Sequence, residues 1–82
     1  MERDEIIKKI REVLVAVLKH EEFEMTDDLS AANVNGWDSL THMIIITDIE
    51  AAFGVKFKLK ELNKLNNLGN LVELINVKID QK

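Results

Sequence analysis

The chain has no cysteine and no proline, and only three glycines. Without cysteine there are no disulfides, no thiolate metal sites and no thiol nucleophile. The lack of Pro and the scarcity of Gly favour helices over a turn-rich sheet protein. Long apolar runs are missing too. No stretch reaches the roughly 18 uncharged apolar residues that a membrane span needs. The N-terminus, Met1-Glu2-Arg3-Asp4-Glu5, lacks the apolar core of a signal peptide. The expected location is therefore cytoplasmic. Basic residues are absent from the middle of the chain. From His20 to Val55 there are eight acids and no Lys or Arg, while the flanks hold the other seven acids and all eleven bases. No basic stripe with interleaved aromatics exists to hold a nucleic acid. The acidic middle is either a solvated loop or a docking face for basic partners, since complementary fields speed encounter.

What is present fits one small folded unit. With 46% apolar and 32% charged residues over 82 positions, the composition is that of a globular domain rather than a disordered chain. A chain of this length supports a single core, so residues 1–82 are expected to form one domain. Nothing points to an obligate oligomer, and a monomer is expected.

Residues 2–19 read as an amphipathic helix. Ile6, Ile10, Val13, Leu14, Val17 and Leu18 recur at three- and four-residue steps and share a face. Glu5–Lys9 and Lys8–Glu12 are spaced to pair on its outer side. Residues 20–37 lack a period and read as a long loop, with Phe23 and Leu29 as apolar anchors and Trp37 packed beside the next helix. A loop this long is unusual in a compact domain unless it is pinned or functional. Residues 39–53 read as a second helix, with Leu40, Met43, Ile45, Ile46, Ile49 and Phe53 inward and Gly54 as its C-cap. Residues 55–59 alternate like a strand, but one strand has no partner here. A loop and a short helix near 59–64 are expected instead. Asn66 and Asn67 are N-cap candidates for a last helix carrying Leu68, Leu71, Val72, Ile75 and Ile79. The expected fold is all-α, a small bundle of three longer helices and one short one with a long first loop.

The chemistry concentrates at Asn33-Val34-Asn35-Gly36-Trp37-Asp38-Ser39-Leu40. Gly36 can take a positive φ. Asp38 and Ser39 both suit a helix start, where side-chain oxygens accept from unpaired N–H groups. This sets Ser39 on the surface at the mouth of a helix. A calcium loop in which Asn33, Asn35 and Gly36 fill positions 3, 5 and 6 fails, because Ala31 and His42 would stand where carboxylates are required. A catalytic Ser needs a base and an orienting group. His42, three residues on, is the only nearby candidate, and no nucleophile elbow or oxyanion donors accompany it. The chain is therefore not expected to be an enzyme.

Gly36-Trp37-Asp38-Ser39-Leu40, followed by an apolar helix ending in Glu50-Ala51-Ala52-Phe53-Gly54-Val55, resembles the acyl carrier proteins and their peptidyl and D-alanyl relatives. The resemblance covers nearly the whole chain. It implies a bundle whose long first loop holds a short helical turn. It also implies that Ser39, within the motif Asp38-Ser39-Leu40, bears 4′-phosphopantetheine taken from coenzyme A by a phosphopantetheinyl transferase. The thiol of that arm then carries acyl groups as thioesters between acyl-loading and acyl-transferring enzymes, and the missing sulfur of this chain belongs to the cofactor. Any buried acyl chain would lie among the apolar helix faces, where Met43, Ile46 and Ile49 are either its lining or simply core, and His42 can touch the arm or a partner. The chain departs from the commonest fatty-acid-synthesis pattern. Thr41 and His42 follow the motif, and Ile44 and Ala51 stand where acids are frequent. Ile44, Asp48 and Glu50 are the expected docking residues, with Ile44 making the face more apolar and pointing to a dedicated pathway. Two other readings stay open: a peptidyl or D-alanyl carrier, and a cofactor-free helical interaction module.

Overall fold

The computed structural model describes residues 2–80, so the expected domain limits at Met1 and Lys82 fall outside them. Its elements are α1 (Arg3–Leu18), a single 3-10 turn (Ala31–Asn33), α2 (Ser39–Phe53), α3 (Leu59–Leu62) and α4 (Leu68–Asp80). The all-α bundle of three long helices and one short one is as the sequence indicates, and no strand occurs among the described residues.

In α1 the four-residue spacing of Ile6, Ile10 and Leu14 takes all three out of solvent. Val13, Val17 and Leu18 pack at the edge of the same core. Both α2 and α4 lie against α1. Ile45, Ile49 and Phe53 from α2, and Leu68, Leu71, Val72 and Ile75 from α4, fill the space between them. The helix ends at Lys19, which takes φ 63 and ψ 28 and donates its N–H to Val15. A non-Gly residue in that region is uncommon, and it turns the chain sharply into the loop.

Neither expected pair on the outer side of α1, Glu5–Lys9 or Lys8–Glu12, is among the ion pairs of the described residues. Lys9 instead places its ammonium 5.4 Å from the Phe53 ring centroid, a cation–π contact. The acids of the loop take the arginines: Arg3 pairs with Asp27, and Arg11 with Glu21 at 2.9 Å. Exposed helical pairs are worth only a few tenths of a kcal/mol, so such exchanges are cheap.

The long loop is pinned rather than structureless. Leu29 and Val34 are its buried anchors, while Phe23 is only half-buried. Its backbone also serves α4. Leu68 N–H donates to Leu29 O at 2.8 Å and Gly69 N–H to Asp27 O at 3.0 Å. Two of the unpaired N–H groups that open any helix are thus satisfied by the loop. A Cβ on Gly69 would stand 3.3 Å from both the Cβ and the carbonyl oxygen of Asp27, which is why the smallest residue sits there. Asn67 caps the same end by accepting from Asn70 N–H at 2.9 Å, as one of the two expected residues. In the short α3, Glu61 accepts from Lys58 N–H at 2.7 Å and reaches Lys78 of α4 at 2.8 Å.

Candidate functional site

The turn before α2 sets the site. Buried Val34 anchors it, and Trp37 N–H donates to Val34 O. Gly36 takes φ 86, and a Cβ there would meet Leu18 Cδ2 at an ordinary 3.7 Å. Glycine is therefore required by backbone conformation and not by space. Asp38 is extended and caps α2. Its carboxylate accepts from the N–H groups of Leu40 and Thr41, both at 3.0 Å. Thr41 answers by accepting from Asp38 N–H at 2.8 Å and donating to Gly36 O at 2.8 Å. This is a capping box extended backwards onto the glycine turn. Hydrogen bonding from Thr41 N–H above all holds the Asp38 carboxyl below the usual carboxylate range, against a smaller opposing effect of desolvation.

Ser39 follows as the first residue of α2 and is exposed. Among the described residues its hydroxyl has no hydrogen-bond partner. His42 does not serve it as a base, because its Nδ1 accepts from Trp37 Nε1 at 3.2 Å and the two rings stack at 6.2 Å and 24°. The half-buried Trp37 thus packs against the start of α2 through His42. The arrangement presents an exposed hydroxyl on a turn held by Asp38 and Thr41.

Behind the Trp37–His42 pair lies a cavity of about 70 Å³, lined mainly by Leu29, Trp37, His42, Ile46, Leu65 and Leu68. Of Met43, Ile46 and Ile49, weighed as cavity lining or core, only Ile46 lines this one. Ile49 is sealed in the core, and Met43 is 53% exposed. Leu40, also expected inward, is 72% exposed. A helix apolar on nearly every side offers no stripe by which to choose the inner face. On the outer side Leu40, Met43, Ile44, Thr47 and Asp48 line a shallow groove of about 250 Å³. Glu50 stands apart from it, its carboxylate accepting from Phe57 N–H at 2.8 Å. Thr41 was missed as a structural residue. Its signal was its place three positions after the cap, where the capping box usually carries Glu or Gln.

Residues 8–75 match the family described as "Phosphopantetheine attachment site". The chain is 32% identical over 80 residues to the acyl carrier protein of Petrotoga mobilis, covering 98% of this chain and 94% of that protein. It is 30% identical over 77 residues to the acyl carrier protein of Thermotoga maritima, covering 94% and 95%. The fold is similar to the solution NMR structure of the holo acyl carrier protein of Geobacter metallireducens, with a TM-score of 0.85 and 32% identity over 93% of this chain and 87% of that one. No helix among the described residues is long and apolar enough to cross a membrane.

Proposed function

Because this chain belongs to the phosphopantetheine attachment site family, we propose that it is an acyl carrier protein whose Ser39 bears the 4′-phosphopantetheine arm. The observation that carries the reading is the exposed, unpartnered Ser39 hydroxyl on a turn locked by Asp38 and Thr41. The site fits the group. A phosphodiester on Ser39 Oγ would sit at the positive end of α2, where an anion is favoured, and no side chain covers it. In attachment the hydroxyl gives its proton to a base of the transferase, and its oxygen bonds to the β-phosphorus of coenzyme A. The bond to adenosine 3′,5′-bisphosphate breaks. The arm supplies a thiol that holds acyl groups as thioesters. Asp38 holds the turn, Leu40 offers the first apolar contact beside it, and the chemistry belongs to partner enzymes. The protein works in the cytoplasm as one monomeric domain.

The partners are phosphopantetheinyl transferase and enzymes that load and remove acyl groups. They dock on the groove of Leu40, Met43 and Ile44, with Asp48 as its charged edge. The facing surface is an apolar ridge beside a basic residue. Glu50, already held by Phe57 N–H, contributes its field and keeps the loop after α2 in place. Ile44→Glu lies on the surface and should leave Tm unchanged while slowing acyl transfer with the true partner. If it improved turnover with every candidate partner, the apolar docking contact would be wrong. The 70 Å³ cavity is about half the ~150 Å³ of an engineered cavity that takes benzene, so this conformation shelters roughly three carbons of cargo.

The reading is tested by intact mass after incubation with coenzyme A, magnesium and a broad-specificity transferase. Wild type should gain one phosphopantetheine, and Ser39→Ala none. No gain with several transferases would leave a helical interaction module whose Asp38-Ser39-Leu40 is a helix cap.

A further inference from the structure

His20 lies at the far end of the long loop from Ser39 in sequence, yet it is joined to the same turn. Its Nε2 lies 2.6 Å from the carbonyl oxygen of Asn35. Its Nδ1 accepts from Glu22 N–H at 3.0 Å. A carbonyl only accepts and an amide N–H only donates, so both bonds can form in one state alone: the neutral imidazole with its proton on Nε2. The ring is further held edge-on to Phe23, at 5.8 Å and 74°. Both neighbours have defined surroundings. Lys19 turns the chain at φ 63, and Glu21 is tied back to α1 by Arg11 at 2.9 Å.

Asn35 immediately precedes Gly36, whose carbonyl accepts from Thr41, whose hydroxyl accepts in turn from Asp38 N–H. The chain just after α1 therefore reaches the turn through the bond of His20 to Asn35. We propose that His20 is a positioning residue for Ser39, holding the turn before α2 through the Nε2–H bond to Asn35 so that the hydroxyl is presented in one orientation to the modifying enzyme. This rests on the reading of Ser39 as the attachment site. His20 touches neither the hydroxyl nor the arm. It acts through Asn35, Gly36 and Thr41.

The two ring nitrogens can be replaced one at a time. In His20→Gln the amide nitrogen falls near the Nε2 position and keeps the bond across the loop. In His20→Asn the carbonyl oxygen falls near the Nδ1 position and keeps only the local bond to Glu22. The experiment measures kcat/KM for phosphopantetheine transfer by mass-spectrometric time course on wild type, His20→Gln, His20→Asn and His20→Ala, with Tm for each. It also takes the imidazole ¹⁵N spectrum of wild type. Asn and Ala should lower kcat/KM about fivefold, the size of one ordinary hydrogen bond. Gln should stay close to wild type, and His20 should show the Nε2-protonated tautomer. Equal rates in all four, or a Gln variant as slow as Ala, would overturn the proposal, as would an Nδ1-protonated ring. If wild type itself gains no mass, the reading of Ser39 fails and this proposal with it. Equal rates in a wild type that is modified overturn the positioning role alone.

Discussion

Replacing Thr41 by Val removes one hydroxyl and keeps the shape of the side chain. Two bonds go with it, the one accepted from Asp38 N–H and the one donated to Gly36 O, each 2.8 Å long. Each is worth about 0.5–1.5 kcal/mol net. The freed groups lie near the surface and can turn to water, which puts both at the lower end. Thr and Val have similar helix propensities, so that contribution nearly cancels. The expected loss is about 1 kcal/mol, which for a domain of this size lowers Tm by roughly 4–8 °C. Circular dichroism melts of the two proteins measure it. The Thr41 hydroxyl also lies 3.2 Å from Asp38 Oδ1 and helps to lower that carboxyl, so it should rise toward the ordinary range, but only part of the way, because its largest support, Thr41 N–H, remains. Its titration by NMR reads that separately. A Tm change under about 2 °C, less than even one such bond gives, would mean that the glycine turn holds without the threonine.

Neighbours on α2 should respond very differently to truncation. Ile45 is fully buried and Ile44 is 44% exposed, so Ile45→Ala should cost about 2–5 kcal/mol in urea unfolding and Ile44→Ala within about 0.5. Equal losses would mean that α2 is rotated from the face described. Acid should destabilise the protein through Asp38 and Glu61. Both carboxyls are held below their ordinary values, Asp38 by Thr41 N–H first and Glu61 by Lys78 first. A lowered folded value gives stability that is complete above the unfolded value and lost as pH falls through the folded one. Tm should therefore be flat above about pH 5 and fall below about pH 4. Asp38→Asn with Glu61→Gln should flatten that fall, and an unchanged acid limb would assign it to other carboxylates.

The helices could be read from the sequence where a stripe was present. In α1 and α4 most apolar residues recur on one side, and the residues expected inside are buried or packed at the core's edge. In α2 the apolar residues run almost all the way round, so Leu40 and Met43 were set inside by chemistry alone and proved exposed. The turn around Ser39 was legible because Gly36, Asp38 and Ser39 each have a local reason to be there. The clamp from His20 to Asn35 was not. It joins two loop residues 15 apart through a side chain and a carbonyl, and such a bond leaves no period and no motif. The same holds for Gly69, whose need for space arises only when Asp27 is folded against it.

Trp37 is the chain's single tryptophan. It stacks on His42 at the mouth of the cavity, two residues from Ser39. All indole emission from this protein therefore originates at one known place. Attachment of the arm, entry of cargo between Leu29 and Ile46, or a partner settling on the start of α2 would each change the polarity and quenching around that ring. The unlabelled protein is thus its own optical probe, and its loading can be followed in real time in a cuvette.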